Sequence, residues 1–342
     1  MDRVSAPAWF AARYPAEALA RRLRDARVGG FGLPAALLGA LCGSLLAVEV
    51  ATGALLALYY RADRDGARAS VQRVITHVEF GELVRSLHGW ASHALLAALF
   101  ALLGVMLAGA LHRKPHEVAF SAVVAAWFAA LASAFTGALL PWTSRSALEA
   151  TVASGAVAHL PLVGPALRAI VFGGVRPDLT DLARVQGLHM GALPALWALL
   201  GAALALHALG RLAHEPAQQG VRVMPELATR MAAVAPATLG ALLTLAVVRP
   251  LALGAAPSAA DTLTGEARPS WFMAPLDALL RIAPADVLGA SGVTVVITLA
   301  ALLALGAVML PWIERALGRA TRWFGLALYA LVLGVMVLAL LR

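Results

Sequence analysis

The chain has 342 residues, is 61% hydrophobic and carries only 13% charged side chains, against about 25% in a soluble domain. Its net charge of +8 sits in loops and at the ends of apolar segments, with no basic stripe or aromatic platform, so the charge does not point to nucleic acid. The single cysteine, Cys42, lies inside an apolar segment, which excludes disulfides, a cysteine-rich metal site and covalent cofactor attachment through CxxCH. Plain packing is the expected role of Cys42.

The first 30 residues lack the apolar run of a signal peptide. The stretch "WFAARYPAEALARRLRDARVG" instead interleaves Trp, Phe, Tyr and Leu with Arg, the pattern of a helix lying in the membrane interface. Seven segments then have the roughly 18 apolar residues of a membrane span: 33–59, 84–111, 118–140, 186–209, 231–252, 287–312 and 324–341. Alternating ten-residue strands of a barrel are absent. The expected fold is an all-α integral membrane protein, a four-helix bundle followed by three further helices. The expected organisation is an interfacial segment 1–30, a domain 31–215 and a domain 216–342. The arginines of the first segment place the N-terminus in the cytoplasm, although the opposite loops also carry Arg and weaken that vote. Loops 112–117, 210–230 and 313–323 then share the cytoplasmic side. Loops 141–185 and 253–286 lie opposite, and their length is expected of segments that carry function.

Nine histidines are present. His77, His112, His116, His159 and His214 fall outside the spans, and His93 and His207 are read as structural hydrogen-bonders on helices. His88 and His189 differ. Each opens a span, the second and the fourth, which run in the same direction, so both rings lie at similar depth. Arg85 precedes one in "RSLH" and Arg184 the other in "RVQGLH". Two histidines so placed on neighbouring helices can be the axial ligands of one haem, with the arginines pairing its propionates. A flat macrocycle also needs flanking helices that lack side chains where it packs. Gly53 ends span one and Gly137 ends span three. Ordinary small-residue helix packing is the alternative for either glycine alone.

Together these pieces make the chain resemble cytochrome b of the quinol–cytochrome c oxidoreductases, from about residue 30 onward. The matching stretches are "GSLL…VATGALLALYY", "FGELVRSLHGWA", "FTGALLPW", "LPLVG", "FGG" and "LARVQGLHMGALP". The resemblance implies haem b, a quinone, and assembly as a dimer or within a multisubunit complex of a bacterial or archaeal inner membrane. Periplasmic Rieske-type or c-type cytochrome subunits are the implied partners.

The family stacks two haems across the membrane, with histidines 14 or 15 residues apart on spans two and four. Fourteen residues rise about 21 Å on nearly one helix face. Here the partner position of His88 is Leu102, and that of His189 is Ala203 or Leu204. Span one keeps both family glycines, Gly39 and Gly53, but span three has Val123 where the second should stand. The expectation is a single b haem near the periplasmic side, held by His88 and His189, and a filled, haem-free site on the cytoplasmic side. His207, about 27 Å along span four from His189, and His112 are the remaining candidates for rescuing that site.

The family's outer quinol motif, Pro-Glu-Trp-Tyr, is also altered. It reads Pro269-Ser270-Trp271-Phe272, without the acid and the phenol. A serine hydroxyl is a poor general base. Glu149, in "TSRSALEATVA" after span three, is a candidate substitute acid or else a solvated loop charge. Glu49, inside span one, is read as a hydrogen-bonder to a neighbouring helix or a proton-relay group.

Two functions from different classes follow. One is electron exchange between quinone and a periplasmic redox partner through a single haem, without a complete Q-cycle. The other is a redox-inactive membrane anchor of a larger complex, paired with a complete cytochrome b. A transporter is disfavoured, because the sequence has no inverted repeat and no pair of broken spans.

Overall fold

The computed structural model describes residues 16–174, 181–214, 219–257 and 268–340. Residues 1–15 of the expected interfacial segment, and parts of loops 141–185, 210–230 and 253–286, lie outside them. Among the described residues, seven helices are long and apolar enough to cross a membrane. They are α2 (Gly32–Ala57), α4 (Gly81–Ala108), α5 (Glu117–Leu139), the run Leu182–Arg211 containing α8 (Leu182–Gly187) and α9 (Leu193–His214), the run Val223–Val248 containing α10 (Ala228–Val248), α12 (Gly292–Leu317) and α13 (Thr321–Leu340). These are spans one to seven.

Shorter helices occupy the loops: α1 (Ala16–Asp25), α3 (Arg64–His77), α6 (Ser144–Ala158), α7 (Gly164–Phe172) and α11 (Ala274–Ile282). Local sequence starts several of them. Asp63 caps α3 by accepting from Gly66 N–H. Thr143 and Ser146 form a reciprocal capping box on α6, and Asp181 accepts from Ala183 N–H at 3.0 Å to open α8. The region 1–30 contributes α1, which packs beside Val223–Leu227, and Arg27–Val28, which pairs with Val221–Arg222.

Several span boundaries differ from the sequence reading by a few residues, and two of the differences have a local cause. Span five stops at Val248, not 252, because Arg249 precedes Pro250 and a pre-proline residue leaves the helical region. Span six begins at Gly292, not 287. The apolar residues before it form a small hairpin, Asp286–Val287 with Ala290–Ser291, turned by Leu288 and Gly289, both at positive φ.

The core lies where spans two and three meet spans one and four. Tyr60 ties the ends of spans one and three together by donating to the Leu140 carbonyl at 2.8 Å. Gly81 starts span two under the Val74 carbonyl, where a Cβ has no room. Spans five and six pack outside this group, five against spans one and two, six against span three.

Candidate functional site

His88 and His189 come together. Their ring centroids stand 6.3 Å apart with planes at 80°. Two nitrogen–metal bonds of about 2 Å on opposite sides of one ion leave imidazole centres about 6 Å apart. The π-helical turn Leu188–Ala192 carries His189. Pro194 follows it, and a widened turn relieves the clash between a proline ring and the preceding turn. That turn takes up one extra residue, so the position one haem spacing along His189's face is Leu204 rather than Ala203.

A threonine holds each ring in the same way, and His88 Nδ1 also lies 3.0 Å from Glu49 Oε2. Thr52 Oγ1 is 3.0 Å from His88 Nδ1, and Thr136 Oγ1 is 3.0 Å from His189 Nδ1. Each hydroxyl donates its own proton to a carbonyl four residues back, Val48 at 2.6 Å and Ala132 at 2.7 Å. The hydroxyls therefore accept from Nδ1–H. This fixes both tautomers and leaves Nε2 of each ring as the bare lone pair a metal needs. A Cβ on Gly53 would lie 3.1 Å from His88 Cε1, and one on Gly137 would lie 2.9 Å from His189 Cε1. The residues thus fit an axially ligated macrocycle. Neither threonine was singled out in the sequence. The signal was the repeated Thr-Gly pair in "VATG" and "AFTG".

The two arginines are engaged by protein. Arg85 donates to the carbonyls of Leu251 and Ala252. Arg184 pairs with Asp181 at 3.0 Å. Each guanidinium has five N–H donors, so propionate contacts are not used up by these bonds.

Glu149 and Ser270, from distant loops, also meet. Glu149 Oε1 accepts the Ser270 backbone N–H at 2.7 Å, and the side chain is fully buried. The solvated-loop reading of Glu149 is thereby corrected. Its Oε2 has no hydrogen-bond partner among the described residues. Burial pushes this carboxyl above its usual range, opposed by the Ser270 hydrogen bonds and the Arg145 charge. Trp271 Nε1 donates to His93 Nδ1 at 3.0 Å, and the His93 ring lies 6.4 Å from that of Phe272. His93 was read only as a helix hydrogen-bonder, and its place beside residues 271 and 272 required the fold. Pro269, half-buried, precedes this group.

At the opposite end, Leu102 is 6% exposed and Val123 4%, both inside the main apolar core, and Leu204 packs against it. His112 lies beyond span two in a turn, as the sequence suggests, but it is not solvated. It is instead fully buried and hydrogen-bonded to Glu314, which also pairs with Arg113 at 2.6 Å. The His207 ring lies 5.7 Å from that of His116.

A cytochrome b/b6/petB family profile matches residues 35–210. The chain belongs to the cytochrome b/b6 family. It is 32% identical over 189 residues to cytochrome b6 of Tupiella akineta, covering 55% of this chain and 87% of that protein. It is 33% identical over 160 residues to cytochrome b6 of Heliobacterium modesticaldum, covering 46% of this chain and 75% of that one. In fold it is similar to a chain of a hyperthermophilic respiratory Complex III, with TM-score 0.65 and 19% identity, over 89% of this chain and 82% of that one. As a cytochrome b, the chain is an all-α, multi-pass membrane protein, and the family implies haem b. The profile match ends before span five, so the three C-terminal spans are tied to the family's architecture by the fold likeness alone.

Proposed function

We propose that this cytochrome b is a subunit of an electron-transfer complex, and that it holds one b haem between His88 and His189 near the periplasmic side. The observation that carries the reading is the matched pair of imidazoles, each with Nδ1–H on a threonine and a glycine facing its ring. A bound haem b supplies one-electron transfer by cycling between ferric and ferrous iron. His88 and His189 would hold it, Gly53 and Gly137 would leave room for it, and Arg85 and Arg184 would supply cations for its propionates. Family membership and the Complex III-like fold support a place in a larger membrane assembly with quinone and a periplasmic Rieske-type or c-type redox partner.

The second haem of the family is lost in this reading. Leu102, Val123 and Leu204 fill its place with packed apolar side chains, and His112 is committed to Glu314. Without that haem a complete Q-cycle within the chain has no inner carrier. On the quinone side, Glu149 takes over from the missing motif acid. Its Oε2, without a hydrogen-bond partner among the described residues, would take up a quinol proton while Oε1 stays on the Ser270 N–H. Burial raises the carboxyl above its usual range, which strengthens it as a general base.

Haem b per polypeptide, from reduced-minus-oxidised and pyridine haemochrome spectra of wild type and His88→Ala, tests this. One haem, absent from the variant, is expected. Two haems would reinstate an inner site. No haem would favour the anchor reading, which draws support from the altered motif Pro269-Ser270-Trp271-Phe272.

A further inference from the structure

We infer that the open groove along α3 is a binding site for the phosphate headgroup of an anionic lipid, held by Arg64, Arg68 and Arg73. The inference is independent of the haem and quinone readings above.

The sequence of α3 sets up the face. Ala67, Ser70 and Val74 recur three and four residues apart and form its buried stripe. Arg64, Arg68 and Arg73 fall outside that stripe. Together with Trp142, Ala256 and Pro257, α3 lines a groove of about 760 Å³, a volume in the usual range of a small-molecule site.

The surrounding fold positions these cations without neutralising them. Arg64 stacks over the Trp142 ring, 5.0 Å from its centroid. A guanidinium bound through its face keeps its N–H edge for hydrogen bonds. Arg68 donates from Nε and Nη2 to the Gly254 carbonyl at 3.2 and 3.1 Å, which fixes the side chain and leaves Nη1 to a ligand. Arg73 has no hydrogen bond or ion pair among the described residues. Asp65 is the one carboxylate that lines the groove, and among the described residues it pairs with none of the three. Three positive charges against one negative make the groove complementary to an anion. The guanidinium fork matches phosphate oxygens in pairs.

Location selects a lipid as the source of that phosphate. Only the stretch 58–63 separates α3 from the end of span one, and Trp142 follows closely on the end of span three at Leu139. The groove therefore lies just beyond the apolar ends of two spans, at headgroup depth. Tyr59, half-exposed, and Tyr60 occupy the same level, as aromatic residues do at a membrane interface. Leu55 and Leu58 are exposed at the end of span one, an apolar surface for acyl chains. A lipid engages both that surface and the arginines, whereas a soluble phosphate engages the arginines alone.

The test is a titration of the full chain in detergent with phosphatidylglycerol, phosphatidylcholine or inorganic phosphate, read by thermal unfolding and by native mass spectrometry. Phosphatidylglycerol is expected to bind wild type at least about tenfold more tightly than phosphatidylcholine. One basic side chain at a lipid surface contributes about fivefold. Arg73→Gln, which breaks no contact of the described residues, is expected to weaken phosphatidylglycerol by about that factor, and the double variant Arg64→Gln/Arg73→Gln by at least about tenfold. Arg281→Gln removes an exposed arginine of α11, outside the groove, and is expected to bind as wild type does. Equal affinity for the two lipids, or an Arg73→Gln value within about twofold of wild type, overturns the inference. Displacement of phosphatidylglycerol by inorganic phosphate overturns it in favour of a free-anion site. A glutamate-rich peptide that binds more tightly than phosphatidylglycerol, and is lost in the double variant, overturns it in favour of a protein-docking face. If the double variant fails to fold, Arg73→Gln decides alone.

Discussion

Thr52 on span one and Thr136 on span three hold their histidines at the same distance, 3.0 Å from Oγ1 to Nδ1. Each spends its own proton on the carbonyl four residues back. The pair is a two-fold repeat of one device, in which a hydroxyl oriented by its own helix orients the imidazole of the next.

Thr52→Val and Thr136→Val keep shape and remove the acceptor. Loss of such an outer contact costs about 10- to 100-fold in metal affinity. Each variant is expected to need more haem for half-saturation when apo-protein is titrated, and the double variant more again. Equal affinity in all three would show that the threonines serve only their own helices.

Glycine position separates a cofactor cradle from general helix packing. Gly53→Ala and Gly137→Ala place a methyl 3.1 and 2.9 Å from the ligand rings and are expected to lower haem content. Gly39→Ala meets nothing within 4 Å and is expected to leave it unchanged. Haemochrome assays on membranes of the three variants give the ranking directly.

Glu314 joins span six to the end of span two through His112 and Arg113. Removing one member of a buried charge group costs about 3–5 kcal/mol, and the part-exposed Arg113 puts this case at the low end. Glu314→Ala is therefore expected to lower the unfolding temperature in detergent. Haem content should stay at the wild-type value, because the cluster lies at the other end of the bundle. Haem loss before unfolding would tie the cluster to the cofactor site instead.

The buried carboxyl of Glu149 gives a pH signature. Its folded-state value is raised by burial, so its contribution is fully present below the ordinary carboxylate range and is lost as pH rises through the raised value. Glu149→Gln has no proton to lose. The difference in thermal stability between variant and wild type is expected to shift toward the variant with rising pH. A difference that does not change with pH would contradict the burial.

The seven spans were legible from apolar length alone, because hydrocarbon demands about 20 such residues and an internally bonded backbone. The meeting of His88 and His189 was legible too, since alternating spans fix which histidines share a depth. Sequence likewise singled out Leu102, Val123 and Leu204, because helix geometry fixes which positions share a face with His88, Gly137 and His189.

Other features depended on packing between residues far apart in the chain. Glu149 meets Ser270 across 121 positions and His112 meets Glu314 across 202. No local pattern couples such residues. The same holds for His93 beside Trp271, and for Glu49 on the distal nitrogen of His88. Membrane burial told which side chains needed a partner, but only the folded bundle decided which partner each received, because hydrogen bonds act over about 3 Å and the sequence carries no distances.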